Sequence, residues 1–279
     1  MEENKMKKFL ALILVAVLAL GVVACANNNN KPDDDTTTAA SGDVTTVAGD
    51  ETTTAGEEVK VMSYAEFAAA ADGTDIAIES YIQAFSYAKA YGNASFFLAD
   101  ETGAYYVYRM PCTDDDAAKL TVGTKVRITG QKGSWAGEAE IAEGTAKYEV
   151  LEGTYTATAK EMTDNSKDAL LAAMNQFVSL KDGEIVASSF DSDGDGENDT
   201  EAAVLYKYNN SGEKGDDLYF NVKFGDNTYT FVVETDFCAA DSDVYAAVEA
   251  LEIGAKVDLS GFMYIYNDPQ LWVTAVTVK

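Results

Sequence analysis

The sequence of 279 residues predicts a mainly β fold, with two tandem five-stranded barrels and short helices after a leader and a polar linker. Three observations predict this. A segment that ends at residue 130 recurs as a second segment that ends at residue 261, and a pattern typical of a β-hairpin precedes each copy. Tyr, Phe, Val and Thr are abundant, and glycines interrupt the apolar runs about every ten residues. The predicted parts are a signal peptide at 1–24, a disordered linker at 25–59, and barrel domains at 60–155 and 164–279.

The N-terminus has the pattern of an export signal. Three lysines, Lys5, Lys7 and Lys8, precede an apolar run over residues 9–23. This run is shorter than the roughly 20 residues that a membrane-spanning helix needs, and a basic region before an apolar one is typical of a secretory signal. The run ends in Val22-Val23-Ala24-Cys25, which resembles the lipobox of bacterial lipoproteins. The resemblance implies that Cys25 carries diacylglycerol; an unmodified signal anchor is the alternative.

Residues 26–58 consist mainly of Asn, Asp, Thr, Gly and Ala, with hardly any large apolar side chain. Such a segment cannot bury enough surface to offset its ordering entropy, so it predicts a disordered linker. Together with the export signal, it predicts an extracytoplasmic protein that is tethered to a bacterial membrane through its lipid and held away from the bilayer.

The formal net charge is −27 and the chain has no histidine. This acidity argues against general nucleic-acid binding, which needs Lys and Arg to displace counterions, and against adhesion to anionic headgroups. Only one group of basic residues offers a local strip for a phosphate backbone: Lys89, Arg109, Lys125, Arg127 and Lys132.

The repeat defines the strands of both domains. The segment Leu120-Thr-Val-Gly-Thr-Lys-Val-Arg-Ile-Thr-Gly130 recurs as Leu251-Glu-Ile-Gly-Ala-Lys-Val-Asp-Leu-Ser-Gly261. Hairpins with turn residues precede the copies at 96–108 and 218–233. The sequence therefore predicts equivalent strands in equivalent order.

The remaining elements also occur in pairs. Between hairpin and repeat, the pattern predicts short helices over 114–120 and 241–251. Each copy opens with an amphipathic helix, over 64–71 or 167–177, and a first strand near 76–85 or 184–188. The order in each copy is helix, strand, hairpin, helix, strand, strand.

This order is that of the OB-fold, a five-stranded Greek-key barrel with a helix between strands three and four. The chain resembles the OB-like modules of secreted bacterial proteins, some of which accompany extracellular nucleases. The residues that carry the resemblance are Phe96-Phe-Leu-Ala-Asp-Glu-Thr-Gly103, residues 122–130 and Trp135-Ala-Gly-Glu-Ala-Glu-Ile141. The resemblance covers 60–155 well and 164–279 more loosely, and two sandwich domains are the alternative. OB barrels host many unrelated functions, so the resemblance alone assigns none.

Catalytic patterns are absent from the sequence. Without histidine there is no Ser-His-Asp or Cys-His arrangement, and a pair of carboxylates for glycoside hydrolysis is the only catalytic chemistry left. We therefore expect no enzyme. Cys112 and Cys238 follow the third strand in the two copies, and free thiols are expected rather than a disulfide between barrels.

An acidic loop between 191 and 201 is the clearest metal-binding pattern. Carboxylates at alternate positions can converge on a hard cation, so the predicted calcium ligands are Asp191, Asp193, Asp195, Glu197 and Asp199. An EF-hand loop needs a glutamate at its twelfth position, where this chain has Ala202, and Glu201 falls one residue early. A solvated acidic turn is the alternative.

Aromatic residues indicate where a ligand would bind. OB barrels usually bind through strands two and three and the flanking loops, and the candidates there are Tyr87, Tyr91, Tyr106 and Trp135. Tyr108 shares a face with Tyr106, and the second copy offers Tyr264, Tyr266 and Trp272 in the corresponding region. These rings either stack on sugars or bases or fill the barrels, since every second side chain of a strand points inward.

Two classes of function follow. The first is a membrane-anchored binding or scaffold lipoprotein for a carbohydrate, peptide or protein partner. The alternative is a nucleic-acid-binding accessory module of an extracellular nuclease system. Calcium is the only cofactor that the sequence suggests.

Overall fold

The computed structural model describes residues 59–279. Its first barrel is closed by five strands: β1 (Asp75–Ala88), β2 (Asn93–Ala99), β3 (Ala104–Pro111), β4 (Thr124–Trp135) and β5 (Glu138–Ile141). Strand β1 pairs with both β2 and β4, and β3 joins β2 to β5. The β3–β5 pairing is parallel and the others are antiparallel. This is the connectivity of an OB-like barrel, so the predicted fold class is confirmed.

Three helical turns and one extra strand complete this barrel: α1 (Tyr64–Ala69), a 3₁₀ turn (Lys89–Tyr91), α2 (Asp114–Ala117) and β6 (Lys147–Thr154). Ser63 and Thr113 cap the N-termini of α1 and α2 with capping boxes. Each hydroxyl accepts the backbone N–H of the residue three positions later, and the carboxylate of that residue accepts the backbone N–H of the capping residue. Strand β6, which the sequence does not predict, pairs with the outer side of β4.

The second barrel and its additions comprise β7 (Lys160–Glu161), α3 (Lys167–Leu171), β8 (Phe177–Val186), β9 (Ser188–Phe190), β10 (Thr200–Ala202), β11 (Val204–Tyr206), β12 (Leu218–Phe224), β13 (Asn227–Val233), α4 (Asp243–Glu249), β14 (Lys256–Tyr266) and β15 (Asp268–Val278). Strand β8 pairs with β12 and β14, and β13 pairs in parallel with β15. The closed five-stranded order of the first barrel is repeated. The acidic loop joins β9 to β10, which form a hairpin outside the closed barrel.

The start of the second barrel differs from the sequence prediction. The predicted helix over 167–177 ends at Leu171, and the first strand begins at Phe177 rather than near 184. Asn175 has a φ of 64°, a left-handed conformation that an α-helix cannot continue. Val178 and Leu180 both lie in the barrel core, as alternate residues of one strand face do.

The repeated glycine has a structural role in both barrels. A Cβ built on Gly130 would lie 2.9 Å from Ile141 Cγ2, and one on Gly261 would lie 2.0 Å from the Trp272 carbonyl oxygen. A Cβ at residue 261 would require a backbone shift, and one at residue 130 would require the Ile141 side chain to move.

Each barrel has its own apolar core, and a third buried cluster joins them: Phe97, Tyr106, Phe262 and Tyr264. The Phe97 and Phe262 rings stack with centroids 4.5 Å apart. Both barrels belong to one compact unit.

Cys112 and Cys238 are buried, free thiols at equivalent points of the two barrels. The predicted signal peptide, the predicted lipidation site Cys25 and the predicted linker up to residue 58 lie outside the described residues. Within residues 59–279, no helix combines the length and hydropathy needed to cross a bilayer.

Candidate ligand-binding cleft

A cleft of about 520 Å³ lies where the two barrels meet. We call it the inter-barrel cleft and define it by its lining: residues of β1 to β5 and their loops from the first barrel, and the segment after β13 with β14 and β15 from the second. The residues that matter chemically are Tyr91, Tyr106, Tyr108, Arg109, Trp135, Glu140, Glu143, Glu234, Asp236, Phe237, Tyr264 and Trp272.

The floor of the cleft is aromatic. Tyr106 and Tyr264 are buried, and their rings lie edge to face with centroids 5.7 Å apart. Trp272 stacks on Tyr264 at 4.5 Å, and its indole Nε1 is buried without a hydrogen-bond partner. Tyr106 is therefore buried by the second barrel and not by the core of its own, because it lies on the outer face of β3.

Two exposed rings stand at the mouth of the cleft. Tyr91 is 83% exposed on the 3₁₀ turn after β1, and Trp135 is 61% exposed at the end of β4. Gly92 and Gly137, with φ of 63° and 94°, make the tight turns that follow these residues. Both rings are therefore open to solvent beside a concave site, a combination that is typical of interaction sites.

Acidic side chains line the cleft between the rings. Glu140 is only 8% exposed and, among residues 59–279, accepts no hydrogen bond and forms no ion pair; burial, helped by repulsion from Glu143, raises its pKa to about 7. Glu234 directly follows β13, and burial, with repulsion from Asp217, raises its pKa to about 8. Both carboxyls are therefore near their ionisation point at neutral pH.

Arg109 is the cation that lines the inter-barrel cleft within the described chain. Its guanidinium pairs with Glu143 at 3.4 Å and lies 4.9 Å from the centroid of the Tyr108 ring. The remaining carboxyls of the lining, on Glu140, Glu234 and Asp236, form no ion pair in residues 59–279, although the buried Lys132 ammonium attracts the carboxylate of Glu140.

A further carboxyl lies behind the floor. Glu138 is fully buried, and its Oε2 accepts the Ile265 N–H at 2.8 Å, which links β5 to β14. Its Oε1 has no hydrogen-bond partner, and neither has Oδ1 of Asn175, whose Nδ2 donates to the Ala139 carbonyl. Burial raises the pKa of Glu138 to about 8, so this inter-barrel carboxyl is mostly protonated at pH 7.

Three of the four predicted ligand-binding residues, Tyr91, Tyr106 and Trp135, line the inter-barrel cleft together. Tyr87 lies elsewhere: its hydroxyl donates to Asp114 Oδ1 at 2.7 Å, and its ring packs on the first barrel core. From the second copy, Tyr264 and Trp272 line the cleft.

The carboxyls of the cleft are not predicted from the sequence. The alternation Glu138-Ala139-Glu140 places two acidic side chains on one face of β5, which is the pattern of a solvated strand face. The second barrel covers this face, and the residues of β5 alone do not predict that it is buried.

The acidic loop brings part of its predicted set together. One carboxylate oxygen each from Asp191, Asp193 and Asp195 lies within 4.8 Å of the others. Asp199 instead accepts hydrogen bonds from Ser192, and the Glu197 N–H donates to Asp195. Calcium binding by this loop stays a prediction.

Millimolar calcium should raise the melting temperature of the protein by about two to four degrees, because a weak site that exists only in the folded state stabilises it by mass action. The double substitution Asp193→Ala with Asp195→Ala should remove the calcium effect and leave the barrel folded. Calorimetry with calcium and with magnesium checks this. Equal stabilisation by both ions would indicate charge screening instead of a site.

The basic residues do not form a free strip. Lys89 pairs with Asp114 at 2.6 Å, and Lys125 and Arg127 both pair with Glu79, at 3.2 and 2.9 Å. Lys132 is buried, 3.9 Å from Asp72. Each of these cations already has a carboxylate, so the group offers little free charge to a phosphate backbone.

No family model and no curated protein matches this sequence. Among solved structures, the chain is similar to the HINb domain of p204, with 13% identity over 75% of this chain and 100% of that chain and a TM-score of 0.31. It is also similar to a murine DNA-binding protein bound to double-stranded DNA, with 10% identity over 70% of this chain and 89% of that one and a TM-score of 0.31. A replication protein A heterotrimer bound to single-stranded DNA matches with 9% identity, 80% and 70% coverage and a TM-score of 0.24. Similarity at this level does not identify a ligand.

Proposed function

We propose that the protein is a lipid-anchored, extracytoplasmic binding protein without catalytic activity, and that its inter-barrel cleft takes a segment of a peptide or carbohydrate partner. The observation that carries the proposal is the convergence of exposed and buried aromatic rings with unpaired carboxyls in one concave site. Its volume of about 520 Å³ lies within the roughly 300–1,000 Å³ of typical ligand pockets.

The lining suits recognition of an organic ligand. Exposed Tyr91 and Trp135 offer flat faces for sugar rings or side chains. The unpaired carboxyls accept N–H or O–H groups.

Anchoring through Cys25 is the second part of the proposal, and it rests on the lipobox resemblance. Cys25→Ala should move the protein from the membrane to the soluble fraction, because the lipid is its proposed attachment. Fractionation after carbonate washing checks this. A variant that stays with the membranes would show another mode of attachment.

Nucleic acid is the second candidate, as an accessory module of an extracellular nuclease system. Exposed rings at the mouth favour it, because bases stack on such rings. The acidic lining opposes it through repulsion of phosphates.

Fluorescence distinguishes these ligands at the cleft itself. The chain has two tryptophans, Trp135 and Trp272, and both line the cleft, so tryptophan emission reports on this site. We expect a saturable change with oligopeptides or with cellohexaose, at least about fivefold weaker after Tyr91→Ala, because one stacking face is lost. Tyr208→Ala, at a residue exposed outside the cleft, is the control.

A response to the oligonucleotide dT12 alone would favour nucleic acid. If no peptide, sugar or oligonucleotide changes the emission, the cleft is not a binding site and the proposal fails.

A further inference from the structure

We infer that the ligand of the inter-barrel cleft is a peptide that inserts an organic cation, a lysine ammonium or an arginine guanidinium, between the carboxyls of Glu140 and Glu234 and the aromatic floor. This inference rests on the proposed binding function and names the chemical group that the cleft recognises.

The charges of the lining are the first argument. The lining carries four carboxyls against one cation, and Arg109 is already paired with Glu143 at 3.4 Å. Glu140, Glu234 and Asp236 form no ion pair in residues 59–279, and the nearby Lys132 ammonium favours ionisation of Glu140 only in part. An anionic ligand would add to this imbalance, and a cationic ligand would reduce it.

The burial of Glu140 is the second argument. A side chain that is 8% exposed and makes no hydrogen bond or ion pair is costly as an anion, since attraction from Lys132 offsets only part of the cost of ionisation in a poorly solvated place. The pKa of Glu140 is raised to about 7 and that of Glu234 to about 8, mainly by burial. A ligand cation beside them would supply the missing partner and favour the ionised forms.

The aromatic floor is the third argument. Rings of Tyr106, Tyr264 and Trp272 line the same cleft as these carboxyls, and a cation over a ring face is stabilised by the ring quadrupole. The cleft already contains one such contact, because the Arg109 guanidinium lies 4.9 Å from the centroid of the Tyr108 ring. A ligand cation would use the same chemistry deeper in the cleft.

The position of the carboxyls favours a peptide as the source of the cation. Glu140 is buried while the rings at the mouth, Tyr91 and Trp135, are exposed. A cation must therefore enter on a slim apolar stem that packs against rings, as Lys and Arg side chains do. The amino group of a glucosamine unit is attached directly to a bulky ring and reaches less far.

Matched tripeptides test the inference on the intact folded chain. Acetylated Gly-Lys-Gly and its norleucine analogue, which keeps the stem but lacks the charge, are titrated into the protein while tryptophan emission is followed. We expect the lysine peptide to bind at least about tenfold tighter, from the ion pair and the ring contact. Gly-Arg-Gly should behave like the lysine peptide, and Gly-Glu-Gly should not bind.

Isosteric variants locate the effect. Glu140→Gln and Glu234→Gln should each reduce the preference for lysine over norleucine to about threefold or less, since each removes one carboxylate. Glu152→Gln, at an exposed position on β6, is the matched control and should leave the preference unchanged. Thermal melts verify folding, and the comparison of peptides on the wild-type protein holds even where a variant does not fold.

Equal binding of the lysine and norleucine peptides would show that the cleft does not recognise the cationic group, although it would still be a binding site. Tighter binding of glucosamine hexamer than of the lysine peptide would overturn the peptide source and assign the cleft to an amino polysaccharide. An unchanged lysine preference in both Glu140→Gln and Glu234→Gln would also contradict the inference. The absence of any response to peptides, sugars and dT12 is the separate failure of the proposed function.

Discussion

Glu138→Gln should make the folded state more stable than the wild type at pH 9 by on the order of 5 kcal/mol, and change its stability by only about 1 kcal/mol at pH 5. Burial raises the pKa of Glu138 from its ordinary value of 4.5 to about 8. Between these values the unfolded chain has lost a proton that the folded chain keeps, so stability falls as pH rises. The contribution is complete below pH 4.5 and is lost as the pH passes through about 8. Glutamine stays neutral throughout and avoids the loss.

Urea unfolding of both proteins at several pH values between 5 and 9 checks this. Glu152→Gln is the control, because its side chain is exposed on β6. If the stability difference between Glu138→Gln and wild type were the same at pH 5 and pH 9, the carboxyl would not be held neutral between the barrels.

Phe97→Ala should cost about 3–5 kcal/mol and separate the melting of the two barrels. Phe97 is fully buried, but it packs on Phe262 and Trp272 of the second barrel instead of the core of its own. Removing the ring therefore leaves a cavity at the joint. Calorimetry should show two transitions, which would assign stability to the predicted domains 60–155 and 164–279.

The neighbouring residue gives a matched control. Phe96 is equally buried but points into the first barrel core. Phe96→Ala should destabilise the first barrel by a similar amount without uncoupling the barrels. If both variants produced the same single transition, the aromatic cluster would not be what couples them.

The barrels could be predicted because their signals are local and occur twice. Alternating apolar residues specify strands, and the repeated segment that ends at Gly130 and Gly261 aligns the two copies. Over residues 167–180 the spacing of the apolar residues is compatible with a helix as well as with a strand. The left-handed conformation of Asn175 ends the helical segment, and a strand follows it.

The cleft could be predicted only in part, because it depends on how the barrels pack. Aromatic candidates on one barrel, Tyr91, Tyr106 and Trp135, do converge, since strand alternation and glycine turns place them. The acidic half of the lining comes from β5 and from the segment after β13, which meet only when the barrels dock. One signal was present in the sequence: consecutive Phe96 and Phe97 indicate a strand that is buried on both faces.

A crystal structure of the chain from residue 59 onward, grown with acetylated Gly-Lys-Gly, tests the central claim most directly. We predict the peptide in the inter-barrel cleft, with its ammonium nitrogen about 3 Å from carboxylate oxygens of Glu140 or Glu234 and its stem against the aromatic floor. A peptide bound to the outer strands of either barrel, with nothing in the cleft, would contradict the account.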